Sequence, residues 1–133
     1  GGPNPPTPVH TSSQDTDQIY TLVEKMPEYP GGTEAMKRFM VQNTHYPEPE
    51  LESGVQGKVF ISFVVDKTGK ITDAKVLKGV KGGPGLDKEA LRVVNLMPAW
   101  TPGKINGRVV RVQYNLPVVF TLNAAQPGKA GGK

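Results

Sequence analysis

The side chains in this sequence with the most versatile chemistry are His10, His45, Arg38, Asn43 and Arg92. A metal centre needs several ligands converging at fixed spacing, yet His10 sits in a Gly/Pro-rich stretch and His45 stands alone before Tyr46 and Pro47. Cysteine is absent, which removes thiolate ligands, disulfides and thiol nucleophiles. No serine lies in a nucleophile-elbow context, and the glycine-rich stretch 79–85 lacks the Gly-Lys-Ser/Thr ending of a phosphate loop. Arg38, Asn43 and Arg92 could be assembled into an acylphosphatase-like phosphate site, but nothing in their spacing favours this over surface roles. The sequence therefore predicts no catalytic residues, no metal and no cofactor. What remains is the chemistry of the backbone, whose N–H and C=O groups bind a partner wherever a strand is left unpaired.

Such a strand needs elements to hold it. With 133 residues and 36% apolar content, the chain has room for one modest core. Its 13 prolines and 16 glycines are unevenly distributed, with an excess at both termini, so 1–18 is expected to be a disordered spacer or artificial leader and 123–133 a disordered tail, with one domain over 19–122. Apolar residues begin at Ile19, Tyr20, Leu22 and Val23, an added strand or ordered arm. In 33–43, Met36, Phe39 and Met40 recur at i, i+3 and i+4, the stripe of a short helix supported by Glu34 and Arg38 one turn apart. Tyr46-Pro47 ends it, because a residue before proline is pushed out of the α region. Pro49, Leu51 and Gly54 fit one or two further helical turns closed by glycine.

From 55 to 66, Val59, Ile61, Phe63 and Val65 alternate with Phe60 and Val64, so both faces of a strand are apolar and it belongs in the middle of a sheet. Asp66-Lys67-Thr68-Gly69-Lys70 is hairpin-turn chemistry. In the next strand, 70–78, Ile71, Ala74 and Val76 break strict alternation, and a β-bulge near Thr72 and Asp73 would restore one face. Leu86, Ala90, Val93, Val94 and Met97 make the stripe of a second helix, after which 98–107 reads as a loop. Val110, Val112, Tyr114, Leu116, Val118, Phe120 and Leu122 then fall on alternate positions, with Pro117 placing the strand at an edge or a bend.

The order helix, strand, strand, helix, strand implies an α+β two-layer sandwich in which two helices cover one face of a three-stranded antiparallel sheet of order 2-1-3. The last strand, 109–115, then lies exposed along an edge. It is blunted by Arg108, Arg111, Pro117, the N-terminal arm or a second copy, or it accepts a guest strand by β-augmentation.

Several segments in this order and spacing resemble the C-terminal domain of TonB proteins, of the type common in Bacteroidetes, from about residue 23 to 122. They are Glu24-Lys25-Met26-Pro27-Glu28-Tyr29-Pro30-Gly31-Gly32, Tyr46-Pro47 with Gly54 and Gly57, Val64-Val65-Asp66 with Gly69, Leu86-Asp87 with Glu89-Ala90, Met97-Pro98-Ala99-Trp100 with Pro102-Gly103, and Pro117-Val118-Val119-Phe120. The resemblance implies a non-enzymatic periplasmic domain, carried by a protein anchored in the inner membrane of a Gram-negative bacterium. It would work with ExbB- and ExbD-like partners and transmit the proton-motive force to outer-membrane transporters. In the family the transporter's TonB box pairs beside the last strand, near the Tyr-Pro segment. Carried over, the peptide-binding residues are Arg108, Val109, Val110, Arg111, Val112, Gln113, Tyr114 and Asn115, with His45, Tyr46 and Pro47. His45 stands where the best-known enterobacterial members carry Gln. Tyr46 and Trp100, the one tryptophan, are expected in the core rather than on a partner.

The net charge of +4, from 16 basic and 12 acidic residues, suits an anionic surface or peptidoglycan but fits an ordinary solvated mixed surface better, while the absence of an aromatic-interleaved basic cluster argues against nucleic acid. No run of about 18 apolar residues and no export signal is present, so the chain reads as part of something longer. An alternative keeps the same domain at the end of a membrane sensor or antirepressor-type metallopeptidase. The free edge also invites a swapped dimer, so the expected state is a monomer or weak dimer.

Overall fold

The computed structural model describes residues 18–122, so the expected tails, apart from Gln18, lie outside the described residues. The elements follow as β1 (Ile19–Tyr20), α1 (Gly32–Asn43), α2 (Glu48–Ser53), β2 (Gly57–Val65), β3 (Ile71–Lys78), α3 (Pro84–Asn95), β4 (Gly103–Ile105) and β5 (Arg108–Phe120). Local chemistry sets their ends. Gly54 closes α2 in the left-handed region at φ 73°, and Pro84 opens α3, where its missing N–H is no loss. The Asp87 carboxylate in the first turn of α3 accepts the Val80 N–H at 3.0 Å, tying the preceding loop to the helix.

β2 is the middle of the sheet, as its two apolar faces imply. It pairs antiparallel with β3 on one side and with β5 on the other, giving the order β1-β5-β2-β3. Its inward row, Val59, Ile61, Phe63 and Val65, is fully buried together with Leu86, Ala90 and Val94 of α3. Each such side chain contributes roughly 1.5–3 kcal/mol relative to exposure. Met36, Phe39 and Met40 of α1 pack against the same core, half-buried. Trp100 is buried, but under Phe63, Tyr114 and Tyr29, with ring centroids 5.4, 5.1 and 5.9 Å away.

The bulge expected in the second strand is present and is one of two. The pairs Val64–Thr72 and Ser62–Lys75 leave an extra residue on β3, where Asp73 takes φ 53°; the pairs Ile61–Val76 and Phe60–Lys78 leave another at Leu77. The first bulge lets Ile71, Ala74 and Val76 all reach the core despite their uneven spacing.

The expected three-stranded sheet with two helices is incomplete. α2 is a third helix, β1 adds a parallel strand to β5, and the stretch read as a loop contains β4. β4 returns to β5 through Asn106-Gly107, whose φ values of 50° and 78° are those of a type I′ hairpin turn. The dipeptide is the strongest short hairpin signal a sequence offers, and it was available in this one. Its apolar flanks are only Ile105 on one side and Val109-Val110 on the other, which hid it.

One turn is held to unusual tolerance. Gly69 takes φ 92°, and its C=O accepts the Trp100 N–H at 2.7 Å. A Cβ there would lie 1.9 Å from the Trp100 carbonyl oxygen. Gly69→Ala should therefore cost about 2–3 kcal/mol through strain and a forced separation of the turn from Trp100. A urea melt reads this directly, and a loss below about 0.5 kcal/mol would show that the turn is free to shift.

Candidate functional site

β5 is long enough to be used differently along its length. Residues Arg108, Val109 and Val110 pair with Ile105, Lys104 and Gly103 of β4. Arg111 and Val112 pair with Ile19 and Tyr20 of β1, and from Val112 to Phe120 the strand pairs with β2. Val23 packs on Val110 and Val112, with Tyr20 and Ile105 alongside, in a small second core. The 109–115 strand is thus not a bare edge throughout, since β1 occupies part of it at Arg111 and Val112.

The direction of the backbone groups follows from the turn. A two-residue turn closes on a hydrogen-bonded pair, here Ile105 with Arg108, so Arg108 and Val110 aim their amides at β4 and odd-numbered residues aim the opposite way. Pro117 agrees with this parity. The β2 ladder runs through it without a register shift, as expected where the missing N–H faces the outer edge. β1 sits on that outer edge at Arg111 and Val112. Beyond Val112, among the described residues, no strand pairs with the outer edge, which offers the amides of Gln113, Asn115 and Val119 and the carbonyls of all four odd positions through Val119.

The sheet's other edge, along β3, is unlike this one. Two bulges interrupt it, Asp73 is turned into the left-handed region, and Lys75 and Lys78 are exposed on it. Bulges and lysines are the usual means of making an edge unattractive to a second strand. Only β5 presents a regular one.

His45, Tyr46 and Pro47 lie at the far end of β5. The Tyr46 ring meets Phe120 edge-on with centroids 5.6 Å apart, and its hydroxyl donates to the Val55 carbonyl. Burial, with the Glu50 carboxylate as a smaller contributor, pushes the Tyr46 phenol above its ordinary pKa. The eight residue steps from Val112 to Phe120 span about 27 Å at strand rise. Tyr46 is therefore not brought together with Arg108–Val112, although it neighbours the end of the open stretch.

Two carboxylates hold this corner. Glu50, buried in α2, accepts the Gly85 N–H in the first turn of α3 at 2.7 Å. Glu89 accepts the His45 backbone N–H at 2.7 Å and both Nε and Nη2 of Arg92, at 2.9 and 2.7 Å. Arg92 Nη2 also donates to the Asn43 backbone carbonyl at 2.8 Å, so the arginine considered for a phosphate site is spent on stapling α1 to α3, and the Asn43 side-chain amide donates back to the Phe39 carbonyl at 2.9 Å. Arg38 is exposed on α1 and apart from them in these bonds. Among the described residues no three His, Cys, Asp or Glu side chains converge as a metal site would require.

Glu89 carries a testable pH dependence. Its partial burial raises its pKa, but the bonds from Arg92 and His45 outweigh this and hold the carboxyl below its ordinary 4.5. A lowered folded pKa means stability that is present above the unfolded value and lost as pH falls through the folded one. Glu89→Gln should cost about 1 kcal/mol near neutral pH, a modest figure because the Arg92 side chain is 45% exposed. In urea melts the gap from wild type should close by about pH 2.5. An equal gap at both pH values would show that the side chain acts through shape rather than charge.

The profile of the family described as Gram-negative bacterial TonB protein C-terminal matches residues 42–122, more than half of the chain. Curated proteins give no match. Among solved structures, the NMR structure of Helicobacter pylori TonB-CTD residues 179–285 is similar with TM-score 0.51 and 21% identity, covering 71% of this chain and 87% of that one. A shorter form of the same domain, residues 194–285, gives TM-score 0.47 and 23% identity over 68% of this chain and 95% of that one. The structural likeness reaches the fold, and the profile reaches the family: this chain belongs to the Gram-negative bacterial TonB C-terminal family.

Proposed function

We propose that the domain works in the periplasm of a Gram-negative bacterium as the gripping end of an energy transducer. It binds the TonB box of outer-membrane transporters by strand addition and carries the pull of the proton-motive force to them. The protein that bears it is anchored in the inner membrane and works with ExbB- and ExbD-like partners. It performs no chemistry of its own. Family membership supports the transducer role, and the observation that carries the mode of binding is the outer edge of β5 beyond Val112, regular and without a partner strand among the described residues.

Strand addition draws affinity from main-chain bonds, so it tolerates varied side chains and suits a domain that serves several transporters. The expected contact is a subset of the residues named from the sequence, Gln113, Tyr114 and Asn115, extended to Val119. Arg108, Val109, Val110, Arg111 and Val112 hold the end of the strand through β4 and β1. His45, Tyr46 and Pro47 serve as a corner beside the other end.

Titrating a synthetic TonB-box peptide while following amide resonances tests this. The expected result is shifts concentrated at 113–119 and weak at 108–110; shifts confined to the helices or to β3 would sink the edge-pairing reading. Tyr46→Phe separates corner from contact. Losing the bond to the Val55 carbonyl should cost about 1 kcal/mol of stability and leave peptide affinity within about two-fold. A ten-fold loss of affinity in a folded variant would make Tyr46 a contact residue.

A further inference from the structure

The face of the sheet turned away from the core has properties that strand addition at β5 does not use. Its central row is Lys58, Phe60, Ser62 and Val64 of β2, opposite Val119, Pro117, Asn115 and Gln113 of β5. Ser62 and Val64 are only 2% and 6% exposed, yet neither belongs to the clusters under the helices. They form the floor of a trough of about 450 Å³, with Ile19 and Gln113 on one wall and Asp73 and Lys75 on the other. The Ser62 half of the floor is polar, its hydroxyl accepting the Gln113 side-chain amide at 3.0 Å.

The two bulges of β3 decide what stands along this face. Counting by strict alternation from Thr72, which pairs beside Val64, Lys75 would point to the core. The first bulge turns Lys75 outward beside Ser62, and the second turns Lys78 outward beside Phe60. Lys58 joins them on β2, and all three are exposed and have no ion pair among the described residues. Of the three only Lys75 lines the trough, while Lys58 and Lys78 continue the same face past it beside Phe60; among the described residues Asp73 is the one acidic residue on the lining. A concave strip with the Ser62 hydroxyl and the Gln113 amide on its lining, one ammonium group on its wall and two more on the same face past its end, fits an extended chain carrying carboxylates. A flat anionic bilayer would meet the rim and leave the floor empty.

We propose that this outer face is a second binding site, which takes an extended acidic peptide segment along β2 with its carboxylates on Lys58, Lys75 and Lys78. The site meets the β5 edge only at Gln113, whose side chain it uses and whose backbone the edge uses, and it stands whether or not a guest strand pairs there.

The test uses the full chain and a nine-residue peptide of alternating Thr and Glu, with the Thr/Gln counterpart as control. Amide shifts are expected at Ser62, Val64, Lys75 and Lys78, weakening as salt rises from about 0.05 to 0.3 M, and the Thr/Gln peptide should bind at least about ten-fold more weakly. Lys75→Glu with Lys78→Glu should lose about ten-fold or more, while Lys37→Glu with Lys88→Glu, the same change of net charge elsewhere, should lose less than about two-fold. Circular dichroism checks folding; if the first pair fails to fold, Lys75→Gln with Lys78→Gln is read instead, with a loss of about three-fold expected. Equal losses in both charge-reversed pairs, equal binding of the two peptides, or shifts confined to 113–119 would overturn the proposal. So would sedimentation with phosphatidylglycerol vesicles through Lys75 and Lys78 without any response to the peptide. The TonB-box titration reads the β5 edge separately, so failure here leaves that reading standing.

Discussion

The pairing of β2 with β5 is the constraint on which the rest of the molecule depends. It runs without a register shift from Gly57 opposite Phe120 to Val65 opposite Val112, and it is the longest ladder in the sheet. Because side chains alternate, this one register fixes both faces together. Val59, Ile61, Phe63 and Val65 meet the helices, and Phe60, Ser62 and Val64 meet the outside. It also leaves β5 longer than its partner, so that the overhang from Arg108 to Val110 is free to build the β4 hairpin. The N-terminal arm closes on this end of β5 from both sides, through β1 at Arg111 and Val112 and, across β4, through bridges from Lys25 and Glu28 to Lys104 and Thr101.

Much of this architecture is legible in the residues themselves because it is set by local pattern. The stripe of Leu86, Ala90, Val93 and Val94 could only be a helix buried on one side, and the two apolar faces of Val59 through Val65 placed β2 in the centre. The irregular spacing of Ile71, Ala74 and Val76 gave away a bulge. What stayed hidden is non-local or marginal. Nothing within Ile19-Tyr20 says that it will lie parallel to Arg111-Val112, since two residues carry no period of their own. The bulge at Leu77 escaped notice because it follows the last inward residue, where alternation no longer has an apolar partner to betray it.

The candidate site was legible to a lesser degree. The sequence located the strand and its Pro117, and topology alone argued that β5 should face outward. It overstated how much of that edge is open, because β1 covers it at Arg111 and Val112. For the Tyr46 corner, a residue before proline signals a bend, whereas the partners that hold the bend, Glu89, Arg92 and Phe120, come from more distant segments. Distances between clusters follow from register, and register is set by tertiary pairing.

Pro117 has a consequence for how copies of this chain treat one another. An open, regular edge is a template for any strand, including the same strand from a neighbouring molecule. Antiparallel pairing of two β5 edges about a two-fold axis would bring in two prolines, each lacking a donor. A foreign strand with a complete backbone meets only one. The penalty for self-pairing is therefore double that for pairing with another chain, so a single imino acid biases the edge toward strangers over its own kind.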